Sequence, residues 1–322
     1  MRSARWLGLL ALYVGAQLVG LALADPFRSA GLSSTSNAQS ATAPIEIIVI
    51  IVVAPLAILL IARRKGGLVA LRHLILLAIA GALFFTLDAT FSLLPPGLVL
   101  QSPYAAEIVL DPAGIAAGTL SAALYLALLM EPQWYVVDLV GFLAAGSLIA
   151  ILGISFAILP AFILLIALLV YDAIAVYGTK HMVSLAEVVT DMKLPILMVM
   201  PETAGYDYAH SASLKEQRAQ PVEERAALFM GLGDVVIPGT LVAAAFVWLP
   251  SSPHVFGLGA NAVLALAALL GSLVGYGVLM TLVLRGNPQA GLPLLNGGAI
   301  AGYVIAYLLV FRSYTLGFTG AI

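Results

Sequence analysis

Long apolar runs separated by short polar breaks dominate the chain. A membrane span needs roughly 20 apolar residues, and nine stretches approach or exceed that length: 5–24, 45–62, 71–94, 112–130, 135–152, 156–177, 225–249, 259–284 and 292–311. The fifth and sixth are parted only around Gly153. Arg2 and Arg5 precede the first run as they would in a signal peptide, but the run is long enough to cross a bilayer and reads as the first transmembrane helix. The expected fold is an all-α membrane protein of nine transmembrane helices. It divides into a six-helix part over residues 1–178, a partly mobile cytoplasmic loop over 179–224, and a three-helix part over 225–322. Residues 25–44, rich in Ser, Thr and Ala, read as an exposed flexible loop, and 203–224, with its charge run, reads as mobile.

Composition agrees with that pattern. Of 322 residues, 62% are hydrophobic and 9% charged, against about 25% charged in soluble domains. A net charge of −2 offers nothing to nucleic acid. The absence of Cys excludes disulfides, thiolate metal sites and a cysteine nucleophile together. No internal repeat is evident, which argues against an inverted-repeat transporter.

Basic residues set the orientation. With the N-terminus in the cytoplasm, all but Arg28 and Arg312 of the 14 Lys and Arg residues fall inside, and the C-terminus lies outside. The compact architecture points to a prokaryotic cell membrane.

Two acids are placed where acids are expensive; a central charge costs about 2.5–3.5 kcal/mol on insertion scales. One is Asp234, ending Gly231-Leu232-Gly233-Asp234 at the start of the seventh run; the other is Asp172, after Tyr171 near the inner end of the sixth. At 1.5 Å per residue, Asp172 lies roughly 9 Å deep and Asp234 roughly 10–13 Å deep, on consecutive antiparallel helices. The orientation rests on Lys and Arg alone, so the matching depths are an independent result. Paired carboxylates titrate as a unit, one keeping a proton. Such a pair can hydrolyse an amide: one member takes a proton from water while the other polarises the carbonyl. That needs no metal, cofactor or nucleophilic side chain. It suits a chain with four scattered His (His73, His181, His210, His254), no His-Glu-x-x-His and no Gly-x-Ser-x-Gly. The bland alternative is two helix-end acids bonded to backbone. Asp88 and Asp138 read as interfacial or paired acids, Gly298 and Gly302 as helix packing, and Trp6, Trp134 and Trp248 as interface anchors.

Tyr171-Asp172, Gly231-Leu232-Gly233-Asp234 and Pro293-Leu294-Leu295 resemble, in order and spacing, the three signatures of the presenilin and signal peptide peptidase family, intramembrane aspartyl proteases with nine transmembrane helices. Residues 177–183, Tyr-Gly-Thr-Lys-His-Met-Val, are similar to the signal-peptidase branch. The resemblance is concentrated in 165–310. It implies that Asp172 and Asp234 are the catalytic pair and that Pro293, Leu294 and Leu295 line the site near them. The family pattern there is Pro-Ala-Leu, so Leu294 adds bulk. The inside-positive bias matches the presenilin-like orientation, which implies single-span substrates with cytoplasmic C-termini. The bilayer and transmembrane-helix substrates are the partners implied; no obligate subunit is evident, and self-association stays open. The chain is expected to work uncut. A transmembrane substrate must unwind before cleavage, and extended backbone near 194–200 is expected to pair with it as an added strand. Two other functions remain: a prepilin or preflagellin type of Gly-x-Gly-Asp peptidase, and an ion or proton transporter using the same acids as a relay.

Overall fold

The computed structural model describes residues 2–35, 37–62, 66–92, 112–178, 192–212, 225–283 and 289–318, with Thr190, Glu216 and Gln220. Residues 63–65 and 93–111 and most of the expected cytoplasmic loop at 179–224 lie outside these residues.

Nine α-helices occur among the described residues: α1 (Arg2–Ser29), α2 (Ala43–Ala62), α3 (Gly67–Phe91), α4 (Pro112–Met130), α5 (Trp134–Ser155), α6 (Ile158–Ala173), α7 (Leu232–Trp248), α8 (Ala260–Val283) and α9 (Leu292–Phe311). Seven are long and apolar enough to cross a membrane, α6 together with the turn that follows it; α7 and the Ala43–Ala54 stretch of α2 are shorter. The buried core draws on α1, α5, α6, α7, α8 and α9 at once. The six-helix and three-helix parts therefore share one interior.

The break between α5 and α6 falls at Phe156 and Ala157. A helix end leaves backbone groups without partners, and the segment after α1 supplies them. Ser34 N–H donates to Ser155 Oγ at 2.7 Å, the Thr35 hydroxyl to Ser155 O at 2.9 Å, and Ala157 N–H to Ala38 O at 2.8 Å. The segment expected as a free loop is thus a cap on another helix pair, and its first residues, 25–29, extend α1.

α8 and α9 meet backbone to backbone. A Cβ on Gly271 would collide with Gly298 O, one on Gly275 with Leu294 O, and one on Gly302 with Ala267 O. Gly298 and Gly302 do serve helix packing, as expected of small residues at such a seam.

The seventh span departs most from expectation. Helix begins at Leu232 rather than 225, because Ala227–Gly231 is a strand, β2, antiparallel to β1 (Leu197–Pro201), with Met198 opposite Met230 and Met200 opposite Leu228. Its Ala-Leu-Phe-Met-Gly composition continues the apolar run, but pairing with β1 satisfies its backbone instead of helix. Arg5 clamps the far end of this hairpin, donating to Arg225 O at 2.7 Å, with Glu202 Oε1 3.6 Å away.

Residues 203–212 also differ from the expected mobile stretch. Tyr208 is fully buried; Lys193 lies 4.4 Å above its ring and donates to Ser211 Oγ at 2.7 Å. Gln133, in the α4–α5 turn, donates to Asp207 Oδ1 at 3.1 Å, and Asp207 accepts from His210 at 2.9 Å. A buried aromatic and these polar ties hold the segment against the sheet end of the bundle.

Candidate active site

Asp234 owes its position to the change from strand to helix. Gly231 ends β2 and caps α7, which puts Asp234 in the first helical turn. A carboxylate there faces the positive end of the helix dipole and reaches back to the Gly231 N–H, as the third residue of a capping box does. The depth expected from seven to nine residues of preceding helix is therefore replaced by a place at a helix N-terminus, beside a sheet.

Asp172 is the penultimate residue of α6 and buried, 7% exposed. It accepts from Leu292 N–H at 3.1 Å, with the Gly291 N–H also directed at it. Gly291 caps α9 and touches the other acid: a Cβ there would stand 2.6 Å from Asp234 Oδ1 and 2.9 Å from Oδ2. The two carboxyl groups thus flank one peptide unit, Gly291–Leu292, and are close enough for their charges to interact. Pro293 fits the first turn of α9, where a missing N–H costs nothing. Leu294 and Leu295 N–H both bond to Gly291 O at 3.1 Å, so the Pro293-Leu294-Leu295 element holds this peptide by its backbone. One turn on, Asn296 donates to Leu165 O at 2.9 Å and ties α9 to α6 again.

A cavity of about 100 Å³ opens on Asp234, lined by Phe229 and Met230 of β2, Met280 of α8, Leu9 of α1, Gln289 and Gly291 among others. By that measure a water needs about 10–15 Å³, so water has room to reach the carboxylate. Pro293, Leu294 and Leu295 do not line this cavity: Leu295 is fully buried in the core and Leu294 is half-buried against it. Tyr171 is likewise half-buried against the core, and Leu232 is buried, its methyl facing Gly141 of α5. Neither glycine of the Gly-x-Gly-Asp stretch packs against another helix. A Cβ on Gly231 would meet only the Asp234 carboxyl, at 3.5 Å, and one on Gly233 would meet open space.

Extended backbone does occur near 194–200, but its outer edge is taken. Asp138, buried in α5, accepts from Val199 N–H at 2.7 Å. The free edge belongs to β2. Bonds from Leu232 N–H to Ile196 O and from Glu202 N–H to Ala226 O fix the register so that Phe229 N–H and C=O point away from β1. No described residue bonds to them.

Residues that the sequence did not single out are Gly291, Gln289, Leu9 and Asn296, and it gave Asp138 no role in the sheet. Gly291, two positions before Pro293, was the one visible signal. Among the described residues no three His, Cys, Asp or Glu side chains gather.

A profile of the family described as signal-peptide peptidase, presenilin aspartyl protease matches residues 10–312. The chain belongs to that family. Two solved structures, each of a presenilin family intramembrane aspartate protease, align with it along nearly its whole length. One, from a C222 crystal, is 28% identical with a TM-score of 0.63, covering 94% of this chain and 99% of that one. The other, from a P2 crystal, is 30% identical with a TM-score of 0.63, covering 94% and 97%. No individually curated protein matches it. This presenilin-family chain is a multi-pass integral membrane protein with the fold of the intramembrane aspartate proteases.

Proposed function

We propose that the chain hydrolyses peptide bonds within transmembrane helices, with Asp172 and Asp234 as the working pair and water as the nucleophile. The observation that carries this reading is the convergence of both carboxyl groups on the Gly291–Leu292 peptide, beside a cavity that admits water. The ionised acid takes a proton from water as its oxygen attacks the scissile carbonyl, and the protonated acid donates to the carbonyl oxygen. Collapse of the tetrahedral intermediate reverses those roles and releases amine and carboxylic acid. Gly-x-Gly-Asp supplies Asp234 on a helix N-terminus, and the Pro293 element holds the peptide between the acids.

The substrate is a single transmembrane helix, unwound where it is cut. Its extended segment pairs with the free edge of β2 at Phe229, and Gly233, with open space about it, leaves room for it beside Asp234. The nine helices all span the membrane, the sheet end faces the cytoplasm, and the C-terminus lies outside at the cell membrane. The chain acts uncut. A prepilin-type peptidase is disfavoured by the family match over 10–312.

The purified protein should cleave a single-span peptide, and Asp172→Ala or Asp234→Ala should each abolish cleavage. Retained cleavage in either variant would refute the pair; ion flux that needs both acids, without cleavage, would favour the relay.

A further inference from the structure

Asp172 is followed by a change in the winding of its helix. α6 stops at Ala173, and Ile174–Gly178 forms a π-helical turn. In a continuous α-helix, Tyr177, five positions on, would lie about 140° round the axis from Asp172. The wider π turn rotates less per residue and swings Tyr177 back toward the face that Asp172 occupies; π turns of this kind recur at functional sites.

Tyr177 meets there the segment that leads into α9. Its hydroxyl accepts from Ala290 N–H at 3.2 Å and donates to Gln289 Oε1 at 3.0 Å. Two peptides on is Gly291–Leu292, the one flanked by both carboxyl groups. α6 and its π turn thus grip residues 289–292 through Tyr177 on Gln289, Tyr177 on Ala290, and Asp172 on Gly291 and Leu292. Half of those contacts depend on one hydroxyl. Gly291 has no slack, because its Cα faces the Asp234 carboxyl so closely that a single added carbon would stand 2.6 Å from Oδ1. A shift of Ala290 is therefore passed directly to Asp234, while the Gln289 side chain borders the cavity through which Asp234 meets water.

We propose that Tyr177 is a positioning residue for the aspartate pair: its phenol, presented by the π turn, fixes Gln289 and Ala290 and so sets the Gly291–Leu292 peptide against both carboxyl groups. This rests on the reading of Asp172 and Asp234 as the hydrolytic pair. The reacting atoms are untouched by the phenol, so its loss disturbs geometry and not the chemistry available.

The test uses the full-length purified protein and a single-span peptide substrate. Tyr177→Phe keeps the ring and removes the hydroxyl. It should lower kcat about tenfold, the scale of a sub-ångström misplacement, with KM within about twofold of wild type and the melting temperature unchanged. Gln289→Leu should lower kcat in the same way. The double variant should be no worse than the poorer single, because both remove one interaction. Full kcat in Tyr177→Phe would overturn the proposal. So would losses that multiply in the double variant, a raised KM with kcat intact, or a kcat loss that tracks a lowered melting temperature. Asp172→Ala and Asp234→Ala are measured beside them. Cleavage in those variants sinks the underlying pair, whereas their inactivity together with full kcat in Tyr177→Phe sinks only the positioning role.

Discussion

Glycine at 291 is required for room and not for conformation. Its φ and ψ of −77° and −47° suit any residue, but a Cβ would press on both oxygens of Asp234. Gly291→Ala should therefore fold normally and cut slowly, with kcat lower by about tenfold or more, as displaced catalytic groups behave. Melting curves and initial rates check the two halves of that statement. Gly233→Ala is the control in the same motif: its Cβ meets nothing among the described residues, so melting should be unchanged, and any rise in KM marks the open space as the substrate's. At this scale the sequence showed the residues that carry charge and hid those that carry none. Asp172 and Asp234 stood out because a carboxylate in an apolar run is costly. Gly291 did not, since the lack of a side chain leaves no trace in a hydropathy pattern. The bond between Asp138 and Val199 joins residues 61 apart in the chain, and no local pattern announces it.

Among the elements, the β1–β2 pair is tied to α5 through one buried hydrogen bond. Val199 is fully buried and its N–H has Asp138 as partner. Asp138→Ala leaves that donor buried and unpaired, which should cost about 2 kcal/mol; Asp138→Asn keeps an acceptor oxygen and should cost less. Thermal denaturation of the two variants in one detergent gives the comparison. On the 203–212 segment, hydrogen bonds from His210 and Gln133 hold the Asp207 carboxyl below its ordinary value. A lowered pKa in the folded state means support that is present above the ordinary aspartate value and lost as pH falls through the lowered one. His210→Ala should raise the Asp207 midpoint toward the ordinary value, read by NMR titration. Helix ends in the sequence reading fell within a few residues of those observed, except at the end of α1 and the start of α7. At the latter, Ala227–Gly231 carries the same apolar letters as a helix, and only its distant partner, Leu197–Pro201, makes it a strand.

For the whole molecule, the placement of charge and the placement of the site make one joint prediction. The proposed topology, drawn from the basic residues, has the sheet end, and with it both acids, on the cytoplasmic side. The chain has no Cys, so single cysteines report cleanly. Tyr314→Cys, at a residue 90% exposed beyond α9, should react with an impermeant thiol reagent added to intact cells expressing the protein. Ala204→Cys, exposed on the 203–212 segment, should react only after the cells are opened. The reverse pattern would invert the topology. The helical, multi-pass character of the chain was legible because a span must be apolar along its length. The mutual arrangement of the helices was not, because inside a bilayer lateral packing rests on fit and not on hydrophobicity.

The seam between α8 and α9 limits how such a molecule can move. Contacts between side chains can be remade by a change of rotamer, whereas Gly271 against Gly298 and Gly275 against the Leu294 carbonyl leave nothing that can rotate out of the way. Sliding by one helical turn would drive a Cβ into a carbonyl at several points together. The two helices therefore behave mechanically as one beam, with Gly291 and the peptide beside the acids built onto its end. Whatever moves in the molecule swings against that beam, and the Gly291–Leu292 peptide travels with it as one piece.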